Sequence, residues 1–279
     1  MKVTGGWFDF DISQIQFQTK MEQRHNPFGF DKIKNFRLVC PKGLRHNTGS
    51  VFRTANFDDA NHSDISKLKK VIRIKSYIDL RSHTSDSEQT RAKYLAEKLS
   101  PDIKYINIGI ANGLQPFDQS KIPEVKKYAD TNLRHQRYSD PNRHKDFLGK
   151  YMKFICKYNG RLVRQVLVEM SKPENYPLAF GCHAGKDRTG IIASLVLNLC
   201  GVSSKDILDD YMMSNIGWGE YDSNSKTASV YEDCLNELNE WIRTSHGSVE
   251  NYCKHIGVRT FEANSIKALC SGQFDCSKL

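Results

Sequence analysis

The chain has 279 residues, 39% of them hydrophobic and 26% charged, with a formal net charge of +9. That length buries a full core in one large or two small domains, and the composition excludes a disordered or fibrous chain. The positive balance points to anionic partners such as phosphorylated substrates or a membrane surface, while the lack of a long Lys/Arg block or any nucleic-acid signature sets nucleic acid aside.

Residues 1–30 form a polar and aromatic lead-in without a legible role, and 31–279 are expected to make a single domain. The opening "MKVTGGWFDFDISQIQ" lacks the apolar centre of a signal peptide. "KLKKVIRIKSYIDLRS" gives an amphipathic segment and then a strand, "SYIDL", that ends in charge. "SEQTRAKYLAEKL" has helical spacing, with Ala92, Leu95, Ala96 and Leu99 on one face, and Pro101 breaks it. "IKYINIGI", rich in β-branched residues, follows as a strand.

Residues 111–145 are polar and basic, with Pro116, Pro123 and Pro141 and seven Lys/Arg against four Asp/Glu. A connection of this length is commonly functional. "FLGKYMKFICKYNGRLVRQVLVEM" is expected to be helical with a break near Asn159-Gly160. "YPLAFGC" is a short buried strand, and "TGIIASLVLNLCG" a helix closed by Gly201. Ser203 and Asp206 form a capping-box pattern for the helix "KDILDDYMMSN". Two further helices, about 226–245 and 248–256, are expected in the tail. Strands alternating with helices predict an α/β fold with a mostly parallel central sheet flanked by helices.

Eight cysteines (Cys40, Cys156, Cys182, Cys200, Cys234, Cys253, Cys270 and Cys276) are scattered through a chain too long for a stapled mini-protein. None forms a Cys-x-x-Cys pair. Free thiols, no structural zinc and a reducing, cytoplasmic setting are therefore expected. The longest apolar run, "IIASLVLNLCGV", is too short to span a bilayer.

Chemistry concentrates in "AFGCHAGKDRTGIIA", residues 179–193. A strand ending in Cys182, then a glycine-bearing loop that opens a helix, builds an anion site. Loop amides and the helix dipole favour an anionic sulfur, hence a nucleophile. Arg188, six residues on, offers a planar fork for two phosphate oxygens. His183, Ala184, Gly185, Lys186, Asp187, Arg188 and Thr189 complete the phosphate-binding loop, with Gly185 permitting the turn and Gly190 a close approach of helix to sheet. Thr189 is placed to hydrogen-bond the sulfur. The nucleotide loop G-x-x-x-x-G-K-[ST] does not fit. Gly181 to Gly185 is one residue short, and Asp187 stands where Ser or Thr would bind magnesium.

The run Cys182 to Arg188 resembles the C-x-x-x-x-x-R signature of cysteine-based protein-tyrosine phosphatases. More narrowly, "CHAGKDRTG" is similar to the C-x-x-G-K-D-R-T-G loop of bacterial and lower-eukaryotic tyrosine phosphatases that also act on phosphoinositides. "NFRL" (35–38), "GSVFRTANF" (49–57), "YIDLRS" (77–82) and "GSVENYCKHIGV" extend the likeness over residues 33–269. The resemblance implies a mostly parallel sheet flanked by helices, a helical lid (111–145 is the candidate) and a phosphomonoesterase with a cysteinyl-phosphate intermediate and neither cofactor nor metal. It implies phosphotyrosyl proteins or phosphoinositides as partners, with peripheral contact to anionic membrane.

Three departures stand out. Gly181 replaces the usual histidine before the cysteine. Ala111 and Asn112 stand where relatives place the acidic general acid, with Asp118 a few residues on. Leu38 replaces a common acidic residue. Asp187 and Asp79 are then the acid candidates, Asp79 being equally readable as an anchor for Arg81 or Arg188. The rival function is a phosphate-binding pseudophosphatase, silenced by Gly181 and the missing acid. Retention of both Cys182 and Arg188 speaks against it.

Overall fold

The computed structural model describes residues 27–39, 51–83, 85–111, 141–216 and 230–270. The lead-in up to residue 26, residues 112–140 of the candidate lid with Asp118, Cys40, Cys276 and positions 226–229 of the expected tail helix lie outside the described residues.

Among the described residues five strands make one sheet: β1 (Arg37–Leu38), β2 (Val51–Thr54), β3 (Ser76–Asp79), β4 (Lys104–Asn107) and β5 (Leu178–Gly181), in the order β1-β2-β5-β3-β4. Only β1 runs antiparallel, against β2. The central strands alternate between two cores, as the two-residue period of a strand requires. Val51, Ile78, Leu178 and Phe180 join one cluster; Phe52, Tyr77 and Ala179 join the other.

On the second face lie α1 (His62–Ser66), continued by a π-helical turn Lys67–Ile72, and α2 (Asp86–Leu99). Both start with capping boxes, Asn61 with Asp64 and Ser85 with Glu88. Leu95 and Leu99 of the expected α2 face are buried, and Ala92 and Ala96 half-buried. On the first face stand α3 (Pro141–Tyr158) and α4 (Gly160–Met170), which break at Asn159 as expected. There the buried Asn159 carboxamide donates to the Ile110 carbonyl at 2.8 Å.

The central α5 (Asp187–Leu199) is buried nearly all round. It closes at Gly201 (φ +76°) through Val202 N–H to Leu197 O at 3.0 Å. The Ser203 hydroxyl caps α6 (Ser204–Ile216) by accepting from the Asp206 amide at 3.1 Å. In the tail, α7 (Glu232–His246) and α8 (Val249–His255) are followed by α9 (Thr260–Cys270), a third helix that the sequence reading did not foresee. Its buried Ala263, Ile266 and Leu269 recur every three residues, but Asn264 and Ser265 dilute the pattern. One expectation is corrected. A Cβ on Gly190 would stand 2.7 Å from the Tyr211 ring, so this glycine admits a neighbouring helix, α6, rather than the sheet. The six described cysteines are free thiols, and no described helix is long and apolar enough to cross a membrane.

Candidate active site

Strand β5 is the middle of the sheet and ends at Gly181, so Cys182 emerges at its carboxyl edge, buried, directly before the loop that opens α5. Open parallel sheets place ligands at this edge. The loop is shaped by what holds its carbonyls. Asn56 donates to His183 O from its side chain (2.8 Å) and its backbone (3.2 Å). The Asn35 carboxamide donates to Ala184 O at 3.1 Å and Gly185 O at 2.9 Å. Arg53 donates to Gly185 O at 3.0 Å, and Gly190 N–H to Lys186 O at 2.6 Å.

In a planar trans peptide the carbonyl and the next N–H point in opposite directions. Carbonyls 183–186 are thus engaged by these partners, and the amides of Ala184, Gly185, Lys186 and Asp187 face away from them, forming a cradle for an anion. Gly185 makes the turn possible. Its φ is +68°, and a Cβ there would lie 2.4 Å from the Thr54 carbonyl oxygen.

Behind the loop sits a charge cluster that the sequence reading missed. Arg53 is fully buried in β2 and pairs with Asp210 of α6. Arg37 of β1 bonds the same carboxylate at 3.2 Å, and both arginines also donate to Ser214 Oγ, at 3.1 and 3.2 Å. Burial and the facing Arg53 push Arg37 down to about 9 against the pull of Asp210. Arg53 and Asn35 stand inside "GSVFRTANF" and "NFRL", and the one local signal was a charged residue in an apolar strand.

Arg188 is placed with Cys182. Burial lowers its pKa, but Tyr151, Cys182, Asp187 and Asp79 outweigh that and raise it, so the guanidinium stays charged. Lys186 is buried, and desolvation brings it down to about 8 against the pull of Asp187 and Cys182. His183 is exposed at the rim, pushed toward its neutral form by desolvation and by Arg81 and Arg188. Ala184 is half-buried in the loop. Asp187, the first residue of α5, lies near enough to Tyr211 and Cys234 to help raise both of their pKa values, where desolvation is the larger cause.

Three expectations change. Asp79 is fully buried, and its carboxylate accepts from Arg81 (2.7 Å), the Arg81 amide (2.9 Å) and the Tyr105 hydroxyl (2.9 Å), with His83 at 3.4 Å. Burial alone would raise its pKa, yet hydrogen bonds from His83 and Arg81 and the Arg81 charge hold it at about 2. It therefore carries no proton to donate near neutrality, and the geometry is that of an anchor for Arg81, which also grips Asp58 at 2.6 and 2.9 Å. The Thr189 hydroxyl is buried without a hydrogen bond among the described residues, so the expected bond to sulfur is not made. Finally, a Cβ on Gly181 would stand 2.6 Å from Thr54 O and 3.0 Å from Ala55 O. Strand β2 leaves no room for histidine, and the loop is braced by Asn35, Arg53 and Asn56 instead.

A cysteine thus stands at the carboxyl edge of a central parallel strand, followed by a loop whose carbonyls are tied back and by an arginine six residues on, an arrangement of the kind that receives anions. The chain belongs to the tyrosine phosphatase family, whose model matches residues 29–270. A protein of Cupriavidus necator, provisionally named a tyrosine-protein phosphatase, is 24% identical over 212 residues, 73% of this chain and 68% of that protein. A tyrosine-protein phosphatase of Nostoc commune is 43% identical over 51 residues, 18% of this chain and 17% of its own. Among solved structures, the core catalytic domain of the PP-IP phosphatase Siw14 from S. cerevisiae, in complex with citrate, is 16% identical with a TM-score of 0.35, covering 74% of this chain and 98% of that one. A second Siw14 catalytic-core structure is 17% identical, with a TM-score of 0.36, covering 75% and 95%.

Proposed function

We propose that the chain is a phosphomonoester hydrolase, in the first instance a protein-tyrosine phosphatase, that works through a cysteinyl-phosphate. The observation that carries this reading is the loop directly after Cys182, whose carbonyls 183–186 are tied back so that the amides of residues 184–187 point away from those partners. The Cys182 sulfur attacks phosphorus as the bond to the leaving oxygen breaks, and the Arg188 fork and loop amides hold the equatorial oxygens. Asp187 delivers a proton to the leaving oxygen. Water then attacks phosphorus, releasing inorganic phosphate and the thiolate.

Phosphotyrosyl proteins are the first substrate class, in line with the names of the relatives. Phosphoinositides come second, because Lys186 adds a cation to the cradle and the +9 net charge suits an anionic membrane surface. The proposed location is the cytoplasm. The experiment is hydrolysis of p-nitrophenyl phosphate by the wild type and Cys182→Ser, then a panel of phosphotyrosyl, phosphoseryl and phosphoinositide substrates. Turnover lost in the variant with phosphate-ester binding retained is expected. Substantial hydrolysis by Cys182→Ser removes the covalent mechanism, and an inactive wild type leaves the pseudophosphatase.

A further inference from the structure

A cavity of about 480 Å³, away from Cys182, opens where four helix ends meet, at the α3–α4 break and the ends of α7 and α8. Its lining includes Lys157, Arg161, His246 and His255 together with Trp241 and Tyr252. Among the described residues no carboxylate lines it. No residue of the loop 182–188 takes part. Tyr158 lies seven positions beyond Tyr151, the α3 residue near Arg188, a separation of roughly 10 Å along a helix at 1.5 Å per residue.

Three of the four basic groups have an ordinary explanation. Lys157, His246 and His255 lie in the last turns of α3, α7 and α8, where a cation complements the negative end of the helix dipole. Arg161 has none. It is the second residue of α4, at the positive end of an 11-residue helix, where a cation is disfavoured. It is exposed and forms no ion pair or hydrogen bond among the described residues. The His246 and His255 rings lie close by, tilted at 45° to each other with their centroids 4.7 Å apart. Desolvation and the facing His255 push His246 toward its neutral form, in which an imidazole still donates one N–H.

The floor is rigid. Gly160 sits so close to α8 that a Cβ would stand 2.6 Å from Ile256, and the Tyr252 hydroxyl is fixed on Cys156 O at 2.9 Å. A cavity of this size suits a small ligand.

We propose that this cavity is a second anion site, separate from Cys182, that binds a compact polyanion of the diphosphate type. Arg161 and Lys157 meet its charge, and the imidazoles of His246 and His255 donate hydrogen bonds to its oxygens. The site goes beyond the phosphatase reading and does not depend on it.

The probe is methylenediphosphonate, whose carbon bridge resists hydrolysis, titrated calorimetrically into the full chain. Arg188→Ala, which disables the Cys182 cradle, is expected to retain one bound equivalent. Arg161→Ala added to it should weaken that binding at least about tenfold, as should His255→Gln, an exposed position whose change leaves the core untouched. Imidazole NMR signals of His246 and His255 should shift on titration. The proposal is overturned if Arg188→Ala binds no probe, or if neither Arg161→Ala nor His255→Gln, at unchanged melting temperature, alters the affinity. A chain without hydrolytic activity that still binds the probe in this way would sink the phosphatase reading alone.

Discussion

Asp79 shows how one carboxylate can be read two ways until its partners are known. Strand-end aspartates serve as acids or as anchors, and three converging donors decide for the anchor. The folded pKa of about 2 lies below the ordinary value of 3.8, so the folded state favours the anion. The resulting stability is fully present above about pH 4 and is lost as pH falls toward 2, and it is on the order of 2 kcal/mol at neutral pH. Asp79→Asn should therefore lower the urea midpoint at pH 7, and the gap to wild type should narrow toward pH 3. A gap independent of pH would mean that the charge contributes nothing. Gly181 leads to an equally direct expectation. With Thr54 O 2.6 Å from where a Cβ would stand, Gly181→Ala forces β5 away from β2. Overpacking of this kind costs about 1–3 kcal/mol, which a thermal melt would register, and activity should fall with it. A variant as stable and active as the wild type would show that β2 yields easily and would reopen the histidine question.

Strand β2 and helix α6 act together as a clamp on the loop, through the Arg53–Asp210 pair and the Arg53 bond to Gly185 O. Removing one partner of a buried ion pair typically costs about 3–5 kcal/mol because the other charge is left uncompensated. In Asp210→Asn, the fully buried Arg53 and the half-buried Arg37 would face each other without their shared anion. The melting temperature should drop by about 6 °C or more, at roughly 2 °C per kcal/mol for a chain of this size. In the surviving folded protein kcat should fall more than KM rises, since misaligned amides matter most when charge develops on the phosphoryl oxygens. An unaltered kcat would confine the clamp to stability. The same clamp explains what the sequence could and could not reveal. Strand β5, the loop and α5 were legible because the apolar run, the cysteine, the glycine turn and the helix lie within residues 178–201 and obey local rules. Arg53 meets Gly185 across 132 positions and Asp210 across 157, and no local periodicity encodes such a pairing. Gly190 was legible as a close approach but not its partner, Tyr211, for the same reason.

At the scale of the whole molecule, two apolar cores sandwich one sheet, and the charged residues collect at its carboxyl edge, where β3 delivers Asp79 and Arg81 and β5 delivers Cys182. The net charge of +9 then acts on anything anionic that approaches. Two consequences compete. The charge could serve only solubility, with catalysis governed by contacts inside the cradle, or it could draw the protein to an anionic surface. Salt separates them, because the Debye length is ~10 Å at 0.1 M and ~3 Å at 1 M. A small aryl phosphate is held by short contacts within the loop, which salt screens weakly. A phosphoinositide in an anionic vesicle presents an extended field, and each basic residue near that surface contributes about 1 kcal/mol at physiological ionic strength. Raising salt from 0.05 to 0.5 M should therefore reduce kcat/KM for vesicle-borne phosphoinositide at least about tenfold, while p-nitrophenyl phosphate should lose about twofold. The measurement is a pair of salt titrations at fixed pH. Parallel curves for the two substrates would refute membrane attraction and leave the basic surface without a part in substrate choice. A steep vesicle curve that persists in Lys186→Met would place the attraction on the surface as a whole rather than on the one lysine in the cradle.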